Sequence, residues 1–309
     1  MFNKVTTIAI LILVFLMIGL LIITLSNRAA VNDQPNPISF STEDSVDISF
    51  TPNTENPKYV YIEDDHIYIN YVDESYMPVK LEKKSWSSVT LSPDRNIVAV
   101  LGKEIGTVND LYLYNIVQKE FNKVTFFENE LSGITSFYWV NDNFITFHQD
   151  QWLHTLNVDS KEIVKVQSGI ANLKGITGGK ALVNNAENNG ATFDFEAGEF
   201  QDNVFASTIN SVSETDEDIF ISLSDGIFIL NEGDAEKVSE ISNGLVCGDN
   251  VLANFMVSTI REEQRVNINE VPEYACVQNS FYYKDNSKWY TLNNEEIPEL
   301  ENSSDFDIF

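Results

Sequence analysis

Three histidines, two cysteines and a surplus of carboxylates are the side chains of this chain with chemistry to offer. The histidines are His66, His148 and His154. His148 and His154 lie six positions apart, a separation at which neither a helix nor a strand presents two ligands to one metal. His154 stands where related strands carry an aromatic ring, which marks it as a packed structural residue. Cys247 and Cys276 lie 29 positions apart. In an oxidising compartment they are expected to form a disulfide closing a loop of roughly 30 residues; in a reducing one they would be two buried thiols. Carboxylates gather at Glu63-Asp64-Asp65, from Glu214 to Asp218, and at Asp305 and Asp307. Each group could ligate Ca²⁺, but none completes an EF-hand pattern, and solvated turns are the simpler reading. No HExxH, GxSxG, P-loop or GxGxxG is present. The residues therefore assign no catalytic, cofactor or metal site.

The elements that carry these side chains are strands. After residue 42 no stretch keeps helical periodicity for more than about two turns, short of the window that marks a helix. Instead, short runs rich in Val, Ile, Phe, Tyr and Thr recur between Asn, Asp, Gly and Ser, as in Tyr59-Val60-Tyr61-Ile62 and Ile97 to Leu101. Such runs have strand length and strand composition, so the region is all-β. Aromatic-bearing strands centred on Tyr68, Tyr112, His154, Phe193, Phe228 and Tyr290 recur, the first five at about the 40-residue period of a four-stranded propeller blade. The gap before Tyr290 is longer. With Ser258 to Glu273 taken as an insertion, six blades are expected; seven is the alternative, since strand-like runs at 251–257, 264–269 and 280–284 allow another blade. A β-sandwich with long loops is the competing architecture.

Trp86 to Glu120 gives the repeat its fullest form. Ser92-Pro93-Asp94 ends one strand, Ile97 to Leu101 makes the next, and Asp110-Leu111-Tyr112-Leu113-Tyr114-Asn115 follows. This segment resembles the TolB-type propeller repeat. Trp139-Val140-Asn141-Asp142 loosely replaces Ser-Pro-Asp in the following unit, and other units keep only the aromatic strand. The resemblance implies a propeller, an architecture used as a protein-binding platform and as an accessory domain of peptidases.

Ahead of these strands, Val5 to Leu25 reads VTTIAILILVFLMIGLLIITL without a charge. As a helix at ~1.5 Å per residue it would span roughly 31 Å, the thickness of a bilayer core. The run exceeds the h-region of a cleaved signal peptide, so a retained signal-anchor is expected at 5–25. Residues 1–4 then form a cytoplasmic tail, with Lys4 favouring a cytoplasmic N-terminus. Residues 26–42, with Pro35 and Pro37, read as a linker, 43–300 as the propeller, and 301–309 as an acidic tail that could close the ring, dock onto a partner or fray.

The chain has 309 residues and a net charge of −28. Lys4 and Arg28 are the only charges before residue 31, which leaves −30 on the remainder. That charge excludes a nucleic-acid partner, whose phosphates require clustered Lys and Arg. Two cysteines exclude a disulfide scaffold, and 12% aromatic residues exclude a disordered acidic chain. The expected protein is a single-pass inner-membrane protein that displays an extracytoplasmic propeller and binds a protein or envelope component without catalysis. The competing expectation is a propeller hydrolase or lyase using carboxylates at the channel mouth.

Overall fold

The computed structural model describes residues 57–308, apart from 72–78, 82–83, 105–106, 128–131, 216–217, 232–233, 254–255, 261–264, 268–272 and 294. The apolar run 5–25 and the linker 26–42 lie outside these residues. Among the described residues no helix is long and apolar enough to cross a membrane.

The described residues form seven four-stranded antiparallel sheets arranged as a propeller. Blade 2 shows the pattern: Ser85–Leu91 is innermost, followed outward by Ile97–Lys103, Asp110–Asn115 and Glu120–Lys123. Burial on both faces explains why the second strand of blade 2 is apolar from Ile97 to Leu101. In Ile97–Lys103, Val98 and Val100 pack against blade 1, whereas Ala99 and Leu101 pack against blade 3. Both faces of a blade are thus buried, and each of the seven junctions carries its own apolar cluster.

Local chemistry sets the hairpins. In blade 2, Ser92 Oγ donates to Asp94 Oδ1 at 2.6 Å and accepts from the Ile97 amide at 3.0 Å. Asp94 also accepts from the Asn96 amide at 3.1 Å, which bends the chain through Arg95 at φ +63°. The amide of Asp94 donates in turn to Asp142 Oδ1 at 2.8 Å, so the corresponding turns of blades 2 and 3 are linked. A second device recurs between third and fourth strands. Asn115, Asn157 and Asp194 each accept from an amide three residues ahead, and Lys119, Lys161 and Gly198 then adopt positive φ. That left-handed position carries the turn back into the outer strand.

The preference for six blades is corrected: the segment between Phe228 and Tyr290 holds two junction-forming sheets rather than an insertion. Blade 6 begins at Leu245–Cys247 and ends at Arg265–Asn267, and blade 7 runs from Glu273–Val277 to Glu296–Ile297. The third strand of blade 6, Met256–Thr259, places Ser258, paired with Val251, on the face toward the preceding blade where its counterparts carry rings, while Val257 packs toward blade 7. An alignment on aromatic residues passes over it.

Of the readings open for 301–309, closure of the ring is the one the strand pairing shows. Asp305–Ile308 is the innermost strand of blade 1, paired with Pro57–Glu63 through Tyr61↔Phe306 and its neighbours. Ser304 N–H donates to Ile62 O at 2.7 Å, and the Ser303 carbonyl accepts from Trp289 Nε1 at 3.2 Å. Phe306 packs edge-on against Trp289 at 4.8 Å. One end of the described chain therefore completes the blade begun at the other.

Asp307 is expected to be a structural keystone of this closure. Its Oδ2 accepts from Leu91 N–H at 2.8 Å and Thr90 Oγ at 3.0 Å. Asp307→Ala should lower unfolding free energy by about 1–3 kcal/mol, the cost of leaving such donors unpaired. Asp307→Asn should recover most of the loss. Denaturant titration of both variants checks the order.

Candidate functional site: the central channel

Seven innermost strands surround the propeller axis, and each is paired on only one side. The other edge faces the channel with backbone donors and acceptors that need partners. At several junctions, side chains of one inner strand supply them to the next. Asp305 Oδ2 accepts from Val89 N–H at 2.8 Å, two residues before the Asp307–Leu91 bond. Between blades 5 and 6, Ser211 Oγ accepts from Val246 N–H at 2.9 Å and Ser213 Oγ from Gly248 N–H at 2.7 Å. Both pairs follow the two-residue period of a strand, which aims alternate side chains at one neighbour. Between blades 3 and 4, Ser136 Oγ donates to Leu173 O at 3.3 Å.

The junction of blades 6 and 7 is covalent. Cys247 ends the inner strand of blade 6, Cys276 lies in that of blade 7, and a disulfide joins them with Cα atoms 5.6 Å apart. Cys247 is fully buried, whereas Cys276 is exposed along the channel.

Two cavities occupy the channel. One of about 670 Å³ is bounded by the inner strands of blades 1, 2, 3 and 7, with Asp305, Asp307, Thr90, Tyr138 and Tyr274 among its walls. The other, about 610 Å³, touches blades 4, 5 and 6 and includes Lys174, Asn210 and Glu214. They share Tyr138, Ile176, Cys276 and Gln278, so they are two lobes of one channel. Both volumes lie in the range of small-ligand sites. Tyr138 is 36% exposed and Tyr274 49%, the two large apolar side chains left open on inner strands among the described residues.

The channel perturbs its titratable groups. Burial raises the Asp305 carboxyl to about 6, opposed by hydrogen bonds from Val89 N–H, Ser88 and Phe306 N–H, while nearby Asp307 adds to the rise. Desolvation also raises the Tyr138 phenol.

The histidines lie elsewhere. His148 and His154 sit on adjacent strands of blade 3, in register with Leu153 and Phe147 respectively, so the pleat sends them to opposite faces. His148 bridges blades 3 and 4, with Nε2 2.9 Å from Ile170 O and Nδ1 2.7 Å from Thr135 Oγ. His154 stacks on Phe147 at 4.9 Å, and burial lowers it to about 4. His66 Nδ1 lies 2.9 Å from the Asp64 carbonyl in the first hairpin turn. Among the described residues no group of three or more His, Cys, Asp or Glu side chains could hold a metal ion. Of the three carboxylate groups, only Asp305 and Asp307 bound the larger lobe; Glu214 bounds the other, and the Glu63–Asp65 turn lines neither.

Sequence reasoning did not single out Tyr138, Tyr274, Ser211 or Ser213. The two serines carried a legible signal, since Ser-Val-Ser and Asp-Phe-Asp both place polar side chains at alternate positions of a strand. The tyrosines carried none, because most of the described aromatic residues pack in the apolar junctions.

The chain matches no protein-family profile, and no curated protein matches its sequence. Among solved structures it is similar to the computationally designed protein Ika8, at 13% identity and a TM-score of 0.46, covering 72% of this chain and 79% of that one. TolB from Acinetobacter baumannii matches at 12% identity and a TM-score of 0.49, over 83% of this chain and 67% of that one. Puromycin hydrolase matches at 13% identity and a TM-score of 0.46, over 60% of this chain and 36% of that one. The architecture stands on the strand pairing described above, and these likenesses add nothing about activity.

Opposite pH dependences are expected from Asp305 and His154. A carboxyl raised from 3.8 to about 6 binds more protons folded than unfolded between those values, so its contribution to stability falls as pH rises through that window. Asp305→Asn should therefore be more stable than the parent at pH 7.5, by on the order of 2 kcal/mol, and equal to it below pH 4. His154, lowered from 6.5 to about 4, acts the other way, and stability is lost as pH falls through that range. His154→Phe should lack this loss. Urea titrations between pH 4 and 8 read both slopes.

Proposed function

We propose that this protein is a membrane-anchored, extracytoplasmic β-propeller that binds a protein or envelope component at its channel mouth and is not itself catalytic. The observation that carries the reading is the pair of exposed tyrosines, Tyr138 and Tyr274, on inner strands around the larger lobe. Exposed aromatic rings in a concave, partly desolvated setting are the residues that anchor protein interfaces. The nearby carboxylates are already engaged, with Asp305 and Asp307 accepting from the backbone of blade 2. The anchor rests on the uncharged run 5–25, and the extracytoplasmic placement on Lys4 ahead of it. A charge of −30 beyond residue 30 favours a cationic partner surface and keeps the domain away from anionic headgroups.

One observation favours the hydrolase or lyase reading instead: Asp305 and Asp307 bound the same lobe, and Asp305 is held protonated to about pH 6. A carboxylic acid beside a carboxylate is the pairing that glycoside chemistry employs.

A photo-crosslinking residue at position 138 or 274 of the full-length membrane protein should capture one recurrent partner, and one at exposed Val117 should not. Tyr138→Ala and Tyr274→Ala should each weaken that partner roughly tenfold or more, as for interface anchors. Asp305→Asn should leave binding intact. Capture equal at all three positions would count against the platform, and substrate turnover lost in Asp305→Asn would establish the enzyme.

A further inference from the structure

The disulfide between blades 6 and 7 differs from the other inner-strand ties in having one sulfur-bearing residue in the channel. Cys247 has no solvent exposure, and it packs with Leu252, Val257 and Phe281 in the apolar junction. Cys276 is exposed and bounds both lobes. A thiolate attacks a disulfide along the S–S axis from the side away from the leaving sulfur, so access decides which sulfur is struck. Only Cys276 can be approached from the channel.

We propose that Cys276 is a thiol-exchange site for low-molecular-weight thiols entering the channel. The incoming thiolate forms a new S–S bond with Cys276 Sγ, the Cys247–Cys276 bond breaks, and Cys247 leaves with the electron pair and takes up a proton. A second thiol then attacks the added sulfur, releasing a symmetrical disulfide and leaving both cysteines reduced. The net reaction oxidises two thiols and reduces one disulfide, and reversal with a small disulfide restores the joint. Access places the mixed disulfide on Cys276, and because Cys247 departs into an apolar junction, where a thiolate is disfavoured, the step is slow. The walls also select the thiol. Asp305, Asp307 and Glu214 outnumber Lys174 along the two lobes, within a domain of −30, so a cationic aminothiol enters more readily than an anionic one.

The full chain in detergent should be treated with cysteamine, 2-mercaptoethanol or mercaptoacetate, quenched with acid, alkylated in denaturant and mapped by peptide mass spectrometry. The expected result is an adduct on Cys276 at least about tenfold over Cys247, with rates, each divided by that thiol's rate on a small uncharged disulfide, in the order cysteamine, 2-mercaptoethanol, mercaptoacetate and converging at high salt. In single variants, Cys247→Ser should expose a thiol that reacts with an aromatic disulfide reagent about tenfold faster than the thiol left in Cys276→Ser. Adducts shared equally between the two cysteines would overturn the proposal. So would exchange no faster than global unfolding, or two free thiols in the chain purified under air. Wild-type mapping stands without either variant, so a variant that fails to fold does not remove the test.

Discussion

A strand on the axis of a propeller is hydrogen-bonded on one side and open on the other, and the arrangement of this molecule follows from that asymmetry. Antiparallel pairing satisfies the outer edge of each inner strand. The inner edge has no sheet to join, and its amides must be met by side chains or by water. Here the preceding blade supplies them: Asp305 and Asp307 reach Val89 and Leu91, and Ser211 and Ser213 reach Val246 and Gly248. The same contacts satisfy the edge, fix the angle between blades and set which groups remain free to face the channel. Cys247 and Cys276 perform the joining role covalently.

The choice of side chain at each joint has electrostatic consequences. Serine is neutral and accepts an amide proton at little desolvation cost. Aspartate accepts more strongly, but it brings a charge into a partly buried position, and two of them two residues apart repel. The result is the raised carboxyl of Asp305, a penalty carried by the closing strand itself. The burial of charge and the closure of the ring are thus the same event at this junction.

Much of the fold was legible in the sequence because a propeller repeats its chemistry. Ser92-Pro93-Asp94 forms the turn that its residue types imply, and Asn141-Asp142 occupies the matching place in the next blade. The third-strand aromatics marked six of the seven sheets. The remaining one escaped because Ser258, opposite Val251, stands on the face toward the preceding blade where the other third strands carry a ring. Asp305 and Asp307 were visible as an acidic pair, but their partners were not. Val89 and Leu91 answer through backbone amides, which every residue possesses and no sequence pattern displays. The channel tyrosines were hidden for a related reason: exposure is a property of the strand's place in the ring, and Tyr112 and Tyr138 read alike until one is buried and the other is not.

The position of Asp305–Ile308 also governs the order in which the molecule can assemble. The bond from Val89 to Asp305 links residues 216 apart in sequence, and blade 1 has only three of its strands until that segment arrives. Loop closure over such a distance costs roughly 5 kcal/mol of chain entropy before any contact compensates. During synthesis, blades 2 to 5 can pair strand by strand as they emerge, since their ladders are local. Blade 1, the earliest made, waits with the edge of Pro57–Glu63 bare until the last strand reaches it. That interval is when an exposed edge invites pairing with another chain, so the hazard for this protein belongs to its birth rather than to its finished ring.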